Sequence, residues 1–396
     1  MKAVVLAAGE GTRLRPFTSS RPKVMIPVAN RPILEYVVKA LVRAGIKDIV
    51  LVVGYKRERI MSYFGDGRPF SANISYVHQV KQLGTANALR AAKANLEGDF
   101  LVVAGDNIID VTLVQDLLRR AKGNSMIVTS SDIPSKYGVV SVEGDLVVDL
   151  VEKPTKKISN VISTGVYHFE PSVFAMLDEG IERGETAITN ILSGNLDRLQ
   201  LHAVKTTGKW MDAVYPWDLL RLNSAAMDFQ GQQLEGKVEA GAIVKGDVQI
   251  GEGSRIRSGC YVEGPVVIGQ GCDIGPNVTI MPSTSIGNGV SIGPFTYIEE
   301  SLICSNVSLS SHSHLSHSVF DEGTVCGPAL QCPVGDATSR IENEFFPVAD
   351  IGALVGESAT LGAGVVLEPG CIIGAGSKVA SQKRVSGTLD NRSIVI

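Results

Sequence analysis

From Val238 onward the chain repeats every six residues. At that interval stand Val244, Ile250, Ile256, Val262, Ile268, Ile274, Ile280, Ile286, Ile292 and Ile298. The position four further on reads Ala242, Val248, Ser254, Cys260, Val266, Cys272, Val278, Thr284, Val290, Thr296 and Leu302, all small, β-branched or apolar. Gly follows the aliphatic residue in five of these eleven hexads, at 251, 269, 275, 287 and 293. A six-residue period pairing a large aliphatic with a smaller partner is the hexapeptide repeat of a left-handed parallel β-helix. Residues 238–396 are therefore expected to form one. The phase slips by one at Ile303, Leu309 and Leu315 and returns at Val355, Leu361, Leu367, Ile373 and Val379. The irregular stretch between, about 321–350, reads as a loop extruded from the coils. Cys260, Cys272 and Cys371 fall on the small inward position, which packing explains without chemistry.

The first half has a different grammar. Ile33 to Ala44 carries an apolar helical pattern ending at Gly45, a C-cap residue. Lys47 to Gly54 and Asp99 to Asp106 read as buried strands, the second delivering a carboxylate to its carboxyl end. Strand and helix signals alternate, and the strands are nearly continuous apolar runs. That pattern argues for a doubly wound α/β domain of Rossmann-like type over residues 1–225. Pro216-Trp217-Asp218 opens a helix expected to run to about Gly231, and 226–237 link the halves. A chain of 396 residues accommodates this, at about 100–200 residues per domain.

Charge narrows the partners. Net charge is −4, yet residues 1–225 carry 28 Lys and Arg against 23 Asp and Glu, while 226–396 carry 9 against 18. No basic run resembles a nucleic-acid footprint, so the excess in the first half points to a small anionic ligand. No apolar run reaches about 18 residues, so no membrane-spanning helix is expected. Met1 to Leu6 passes too quickly into glycines and charges to read as a signal peptide. All six cysteines lie after residue 259 with no C-x-x-C pair, which suits reduced thiols and a cytoplasmic protein.

The chemistry concentrates at the start. The apolar strand Ala3 to Leu6 runs into Ala7-Ala8-Gly9-Glu10-Gly11-Thr12-Arg13-Leu14-Arg15-Pro16, followed by Arg21 and Lys23. A strand entering a glycine-rich turn lets backbone N–H groups converge on one point, because no Cβ blocks close approach. Arg13, Arg15, Arg21 and Lys23 around that turn suggest that phosphate occupies the point. The alternative is an ordinary strand-to-helix loop with solvated arginines.

Leu6-Ala7-Ala8-Gly9-x-Gly11-Thr12-Arg13-Leu14-x-Pro16 with Arg21-Pro22-Lys23 resembles the signature of sugar-1-phosphate nucleotidylyltransferases. Gln79 with Leu83 to Ala86, Gly105-Asp106, Tyr137-Gly138, Glu152-Lys153-Pro154, Thr164-Gly165 and Trp210-Met211-Asp212 match in the same order. With the hexads behind them, the whole chain resembles the archaeal bifunctional sugar-1-phosphate nucleotidylyltransferases/acetyltransferases. The resemblance implies attack by a sugar-1-phosphate oxygen on the α-phosphorus of UTP or dTTP, with release of pyrophosphate. It gives nucleotide contacts to Leu6, Ala8, Gly9, Gly11, Thr12, Gln79, Gly84 and Thr85. Arg13 and Lys23 would hold phosphates, and Asp106 and Asp212 would share a Mg²⁺. Tyr137, Gly138, Glu152, Thr164 and Gly165 would hold the sugar, and Lys153 its phosphate. On the residues alone, Asp106 can instead cap the following helix, and Glu152-Lys153 can be a solvated turn pair.

For the second half the resemblance implies an acetyltransferase whose His deprotonates an amino sugar that attacks acetyl-CoA. His314-Leu315-Ser316 opens that motif, but His317 stands where the family has Tyr, and the Gly-Asp that follows is missing. The β-helix therefore serves either acetyl transfer, with His314 as base, or assembly and regulation. A third reading is a regulatory or binding protein with a degenerate first site. The resemblance also implies homotrimers or hexamers.

Overall fold

The computed structural model describes residues 1–156, 158–228, 233–342 and 344–396. It divides into two compact units: 1–10 with 33–211, and 11–32 with 212–396. The expected linker, 226–237, and the expected helix end near 231 fall partly on 229–232, outside the described residues.

The first unit is built on a nine-stranded sheet. Its strands are β1 (Lys2–Ala7), β2 (Asp48–Val53), β3 (Asn73–His78), β4 (Phe100–Ala104), β5 (Ser125–Ser130), β6 (Gly138–Glu143), β7 (Leu146–Glu152), β8 (Val161–Phe169) and β9 (His202–Lys205). They lie in the order β3-β2-β1-β4-β8-β5-β9-β7-β6. The first four are mutually parallel, as their unbroken apolar runs require of strands covered on both faces. β8 then enters antiparallel between β4 and β5, so the sheet is mixed. Ile162 of β8 also meets Val139 of β6, which curls the far end of the sheet back on itself. Helices α1 (Ile33–Arg43), α2 (Arg57–Phe64), α3 (Thr85–Ala91), α4 (Val111–Arg120) and α5 (Val173–Glu182) connect and cover the strands. Val4, Phe100, Met126, Phe169 and Leu177 are among the fully buried side chains of one core layer.

The second unit contains the parallel β-helix, whose faces have nine, nine and eight strands among the described residues. Asp273-Ile274 pairs with Ser291-Ile292, eighteen residues on, so three hexads make one coil. Ser291-Ile292 then pairs with Ser308-Leu309, seventeen residues on. One residue is lost between Ile298 and Ile303, which is the phase slip seen in the sequence. Phe320, Cys326 and Cys332 occupy the inward positions of the following coil and are fully buried. Among the described residues only the antiparallel hairpin Gly335–Ile341 and Glu344–Ile351 leaves the coils, so the extruded segment is shorter than the expected 321–350. All six cysteines are free and buried, and burial pushes the Cys326 and Cys371 thiols up to about 12, far from nucleophilic use at neutral pH.

Residues 11–32 belong to this second unit for identifiable reasons. Arg21, almost wholly buried, meets Asp321 at 2.9 Å. Ala29 N–H donates to Asn223 Oδ1 at 2.8 Å, and Asn30 Nδ2 donates to the Ile286 carbonyl at 2.6 Å. Asn223 lies on helix α6 (Asp218–Met227) and also accepts from Ser285 Oγ. Burial lifts the Asp321 carboxyl to about 6 against the pull of Arg21, so the pair is ionised at neutral pH.

Candidate active site

In the first unit the sequence-predicted residues gather at the carboxyl ends of the parallel strands, where ligands bind in open α/β sheets. β1 ends beside β4, with Leu6 opposite Ala104. Gly105 N–H donates to the Leu6 carbonyl at 2.9 Å, and a Cβ at Gly105 would sit 2.9 Å from the same oxygen. That close approach fixes the half-buried Asp106 next to the end of β1. Ala8 is buried under Tyr55, whose N–H donates to its carbonyl at 3.1 Å. Gly9 is exposed with nothing near its Cβ direction, leaving room for a ligand.

Asp106 does not cap α4. That task falls to Asp110, whose carboxylate accepts from Leu113 N–H at 2.9 Å. The following residue, Asn107, is a member of the site that the sequence does not announce. It is buried, and its Nδ2 donates to the Thr164 carbonyl at 3.0 Å. Trp210 Nε1 donates to that same carbonyl at 3.0 Å. Thr164 Oγ1 in turn donates to the Ile127 carbonyl at 3.0 Å. Gly165, at φ +74°, stands with its Cβ direction 3.3 Å from Ala104 at the end of β4. Thr164-Gly165, where the register of β8 shifts, is thus held rigidly beside the strand that delivers Asp106.

The remaining sugar candidates join this group. Gly138 is paired with Glu152 across β6 and β7, and a Cβ there would come within 3.2 Å of Glu152 Oε2. Lys153 N–H donates to the Tyr137 carbonyl at 3.0 Å, and the Tyr137 ring meets Trp210 edge-on at 5.3 Å. Lys153 is exposed, with its ammonium 3.7 Å from Glu152 and its backbone at φ +46°. Tyr137, Gly138, Glu152, Lys153, Thr164 and Gly165 therefore form one connected wall of hydroxyl, carboxylate and ammonium groups.

The base-side candidates are more tightly committed. Gln79 is buried, and its Nε2 donates to the Gly84 carbonyl at 3.0 Å. Gly84 is required by packing, since a Cβ would lie 2.4 Å from the Thr186 carbonyl. Thr85 Oγ1 accepts from Ile188 N–H at 2.9 Å. These residues shape a fixed loop, held by the Gln79 and Thr85 side chains.

In the second unit, Gly11 adopts φ +76° and opens the short turn Thr12–Leu14. A Cβ on Gly11 would meet Lys23 Cβ at 2.7 Å, so glycine is what lets Lys23 lie against the turn. Lys23 Nζ reaches Asp212 Oδ1 at 2.9 Å, with both side chains about 85% withdrawn from solvent. Thr12 and Arg13 are exposed, and Glu342 at the hairpin end approaches both, at 3.4 Å and 4.0 Å. Arg21 differs from the expected phosphate cation, because its charge is consumed by Asp321. Gly11→Ala is expected to lower kcat/KM at least ~10-fold through the displaced Lys23, while costing only about 1–2 kcal/mol of stability. Steady-state kinetics beside chemical denaturation separates the two effects.

Asp106 and Asp212 offer hard oxygen donors. Among the described residues no group of three or more His, Cys, Asp or Glu forms a metal cage. Either carboxylate is a donor of the kind Mg²⁺ takes, an ion that accepts one or two carboxylates and completes its shell with substrate phosphates and water.

His314 lies on the strand His314–Ser316, exposed, its ring 4.9 Å from that of Tyr297. Ser316 donates to Glu299, and His317 Nε2 pairs with Glu300 at 3.0 Å. The three histidines at 312, 314 and 317 are thus separately engaged, His312 against Phe295 at 5.2 Å.

An open glycine turn after β1, a carboxylate at the end of the adjacent strand and a polar wall near it suit a transferase acting on phosphorylated compounds. The chain belongs to the nucleotidyl transferase family, whose model matches residues 2–228, and the bacterial transferase hexapeptide model matches 248–282 and 265–300. Over its full length it is 35% identical to the bifunctional protein GlmU of Methanococcus maripaludis strain S2, covering 97% of that protein. It is 36% identical to a glucose-1-phosphate thymidylyltransferase of Streptomyces antibioticus, over 65% of this chain and 74% of that one. The crystal structure of a putative glucose-1-phosphate thymidylyltransferase from Bacillus anthracis, in complex with a sucrose, superposes at TM-score 0.54 and 30% identity. It covers 59% of this chain and 98% of that one. No helix among the described residues is long and apolar enough to cross a membrane.

Proposed function

We propose that this nucleotidyltransferase joins UTP or dTTP to glucose-1-phosphate or N-acetylglucosamine-1-phosphate, in the cytoplasm. A sugar-phosphate oxygen forms a bond to the α-phosphorus, the bond to the bridging oxygen breaks, and pyrophosphate leaves with that electron pair. The nucleophile is already an anion, so no proton need be removed. Catalysis then reduces to bringing two polyanions together and holding the developing charge.

The observation that carries this reading is the connected wall from Gly138 to Gly165 beside Asp106. Its hydroxyl, carboxylate and ammonium groups, beside a Thr164 carbonyl held by Asn107 and Trp210, suit a polyhydroxylated second substrate that carries a phosphate. Leu6, Ala8, Gly9, Gly11 and Thr12 would bind the triphosphate, largely through backbone N–H groups, with Arg13 on the departing phosphates. Lys23 would meet the reacting phosphates, and Lys153 the phosphate of the sugar. Gln79, Gly84 and Thr85 would hold the base, whose edge is the same in uracil and thymine. Asp106 and Asp212 would hold the Mg²⁺, which supplies charge neutralisation on the phosphates when bound. A panel of triphosphates and sugar-1-phosphates, read by pyrophosphate release, tests the assignment. Release confined to one matched pair supports it.

Acetyl transfer from acetyl-CoA to glucosamine-1-phosphate is the second reading, favoured by the exposure of His314 on a coil face. It predicts thiol release from acetyl-CoA that disappears in His314→Ala. Thiol release equal in both proteins, or absent from both, removes the claim. We also infer a homotrimer or hexamer assembled through coil faces, for which light scattering should return at least three times the 42.0 kDa of the chain.

A further inference from the structure

The hairpin that leaves the β-helix ends on the residues of the phosphate turn. Its strands stay paired up to Ile341 with Glu344, so positions 342 and 343 form a two-residue tip. The rest of the hairpin is firmly seated. Ile341, Val348 and Ile351 are buried, and a Cβ on Gly370 of the coil below would meet Ala337 at 2.5 Å. Phe346 packs on Tyr215 at 4.5 Å and on Trp217 at 6.2 Å, and these two rings stack at 5.0 Å. Tyr215 in turn follows closely on Asp212, the partner of Lys23.

Glu342 is an unexpected residue at this tip. Its backbone lies at φ +56°, the left-handed conformation that a two-residue hairpin demands and that Asn, Asp or Gly adopts more readily. The turn itself gains nothing from a long acidic side chain. What that side chain reaches is the glycine-rich turn. Thr12 Oγ1 donates to Glu342 Oε1 at 3.4 Å, and Arg13 Nε stands 4.0 Å from Oε2. The Arg13 and Glu342 side chains are about half exposed, so the contact is solvated and readily exchanged. A carboxylate offers a guanidinium and a hydroxyl the same kind of anionic acceptor oxygens as a phosphate does. An incoming phosphate must therefore exchange with it.

We propose that Glu342 competes with phosphate for Thr12 and Arg13, yielding them to the triphosphate and reclaiming them as pyrophosphate leaves. The competition sets how tightly pyrophosphate is held and involves neither base nor sugar. It rests on the reading that Thr12 and Arg13 bind phosphates, and not on which nucleotide or sugar is used.

The test uses the full-length protein and magnesium pyrophosphate, followed by calorimetry and as product inhibition of the forward reaction. At low ionic strength pyrophosphate should bind about 3- to 5-fold more tightly in Glu342→Gln, the upper range for an exposed charge pair. Its inhibition constant should fall by the same factor, with KM for the sugar phosphate unchanged. The gain should shrink toward unity in ~1 M salt, where the screening length is ~3 Å. Glu344→Gln is the control for general charge. Burial raises the Tyr215 phenol, Arg13 opposes it, and Glu344 and Glu342 both add to the rise, so the two carboxylates share one neighbourhood. Glu344→Gln should change pyrophosphate affinity less than ~1.5-fold, as a solvated charge out of contact does. Equal affinity in wild type and Glu342→Gln overturns the proposal, as does an equal gain in Glu344→Gln or no pyrophosphate binding in any of the proteins. A pyrophosphate difference that persists where no nucleotide sugar forms supports the proposal and strikes only the substrate assignment.

Discussion

Asp106→Asn should reduce turnover at least ~100-fold, the scale of removing one major electrostatic stabiliser from a transferring phosphoryl group. The substitution keeps size and shape while removing the charge and turning one acceptor oxygen into an NH₂ donor. Its structural cost should be within about 0.5 kcal/mol, since α4 is capped by Asp110 rather than by Asp106. Asp110→Ala supplies the converse control. It should cost about 1 kcal/mol by unsatisfying the Leu113 N–H, and leave the chemical step intact. Kinetics and urea denaturation on the two variants are therefore expected to separate cleanly. Near-normal turnover in Asp106→Asn would remove the metal assignment from this residue.

Asp321→Leu should destabilise the protein by about 3–5 kcal/mol, because it strands the Arg21 guanidinium without its partner inside the fold. The accompanying Glu322 contact, at 3.4 Å and partly exposed, is too solvated to substitute. Adding Arg21→Met should recover most of the loss, since an apolar pair of similar volume avoids the desolvation of both ions. Denaturation midpoints of the two single variants and the double variant form a cycle that measures the coupling. Independent, additive losses would show that the pair does not anchor residues 11–32. Since that segment carries Gly11, Thr12, Arg13 and Lys23, activity should fall with stability in Asp321→Leu and return in the double variant.

The β-helix was legible wherever inward positions carry aliphatic residues, from Val238 to Ile298 and again from Val355. It was illegible from 321 to 334 because the coil is short by one residue twice and then fills its core with Phe320, Cys326 and Cys332. Those side chains satisfy packing without satisfying an aliphatic pattern. The doubly wound half was legible as apolar strands, but β8 entering antiparallel was not. Its run, Val161 to Phe169, is covered on both faces like its parallel neighbours and so has their composition. The motifs located the end of β1, Asp106 and the Thr164-Gly165 step within β8. They could not reveal that Asn107 and Trp210 converge on one carbonyl, because that depends on three distant strands meeting. Nor could spacing distinguish Arg21 from Arg13. Only the burial of Arg21 against a residue three hundred positions later separates a structural cation from an exposed one.

The central claim is transfer of a nucleotidyl group to a sugar-1-phosphate. The most direct measurement follows pyrophosphate and nucleotide sugar together, with UTP or dTTP, glucose-1-phosphate or N-acetylglucosamine-1-phosphate, and Mg²⁺. The expected result is equimolar formation of both products, requiring both substrates and the metal and lost in Asp106→Asn. Failure to form a nucleotide sugar with any of these pairs, or pyrophosphate release that ignores the sugar phosphate, would contradict it.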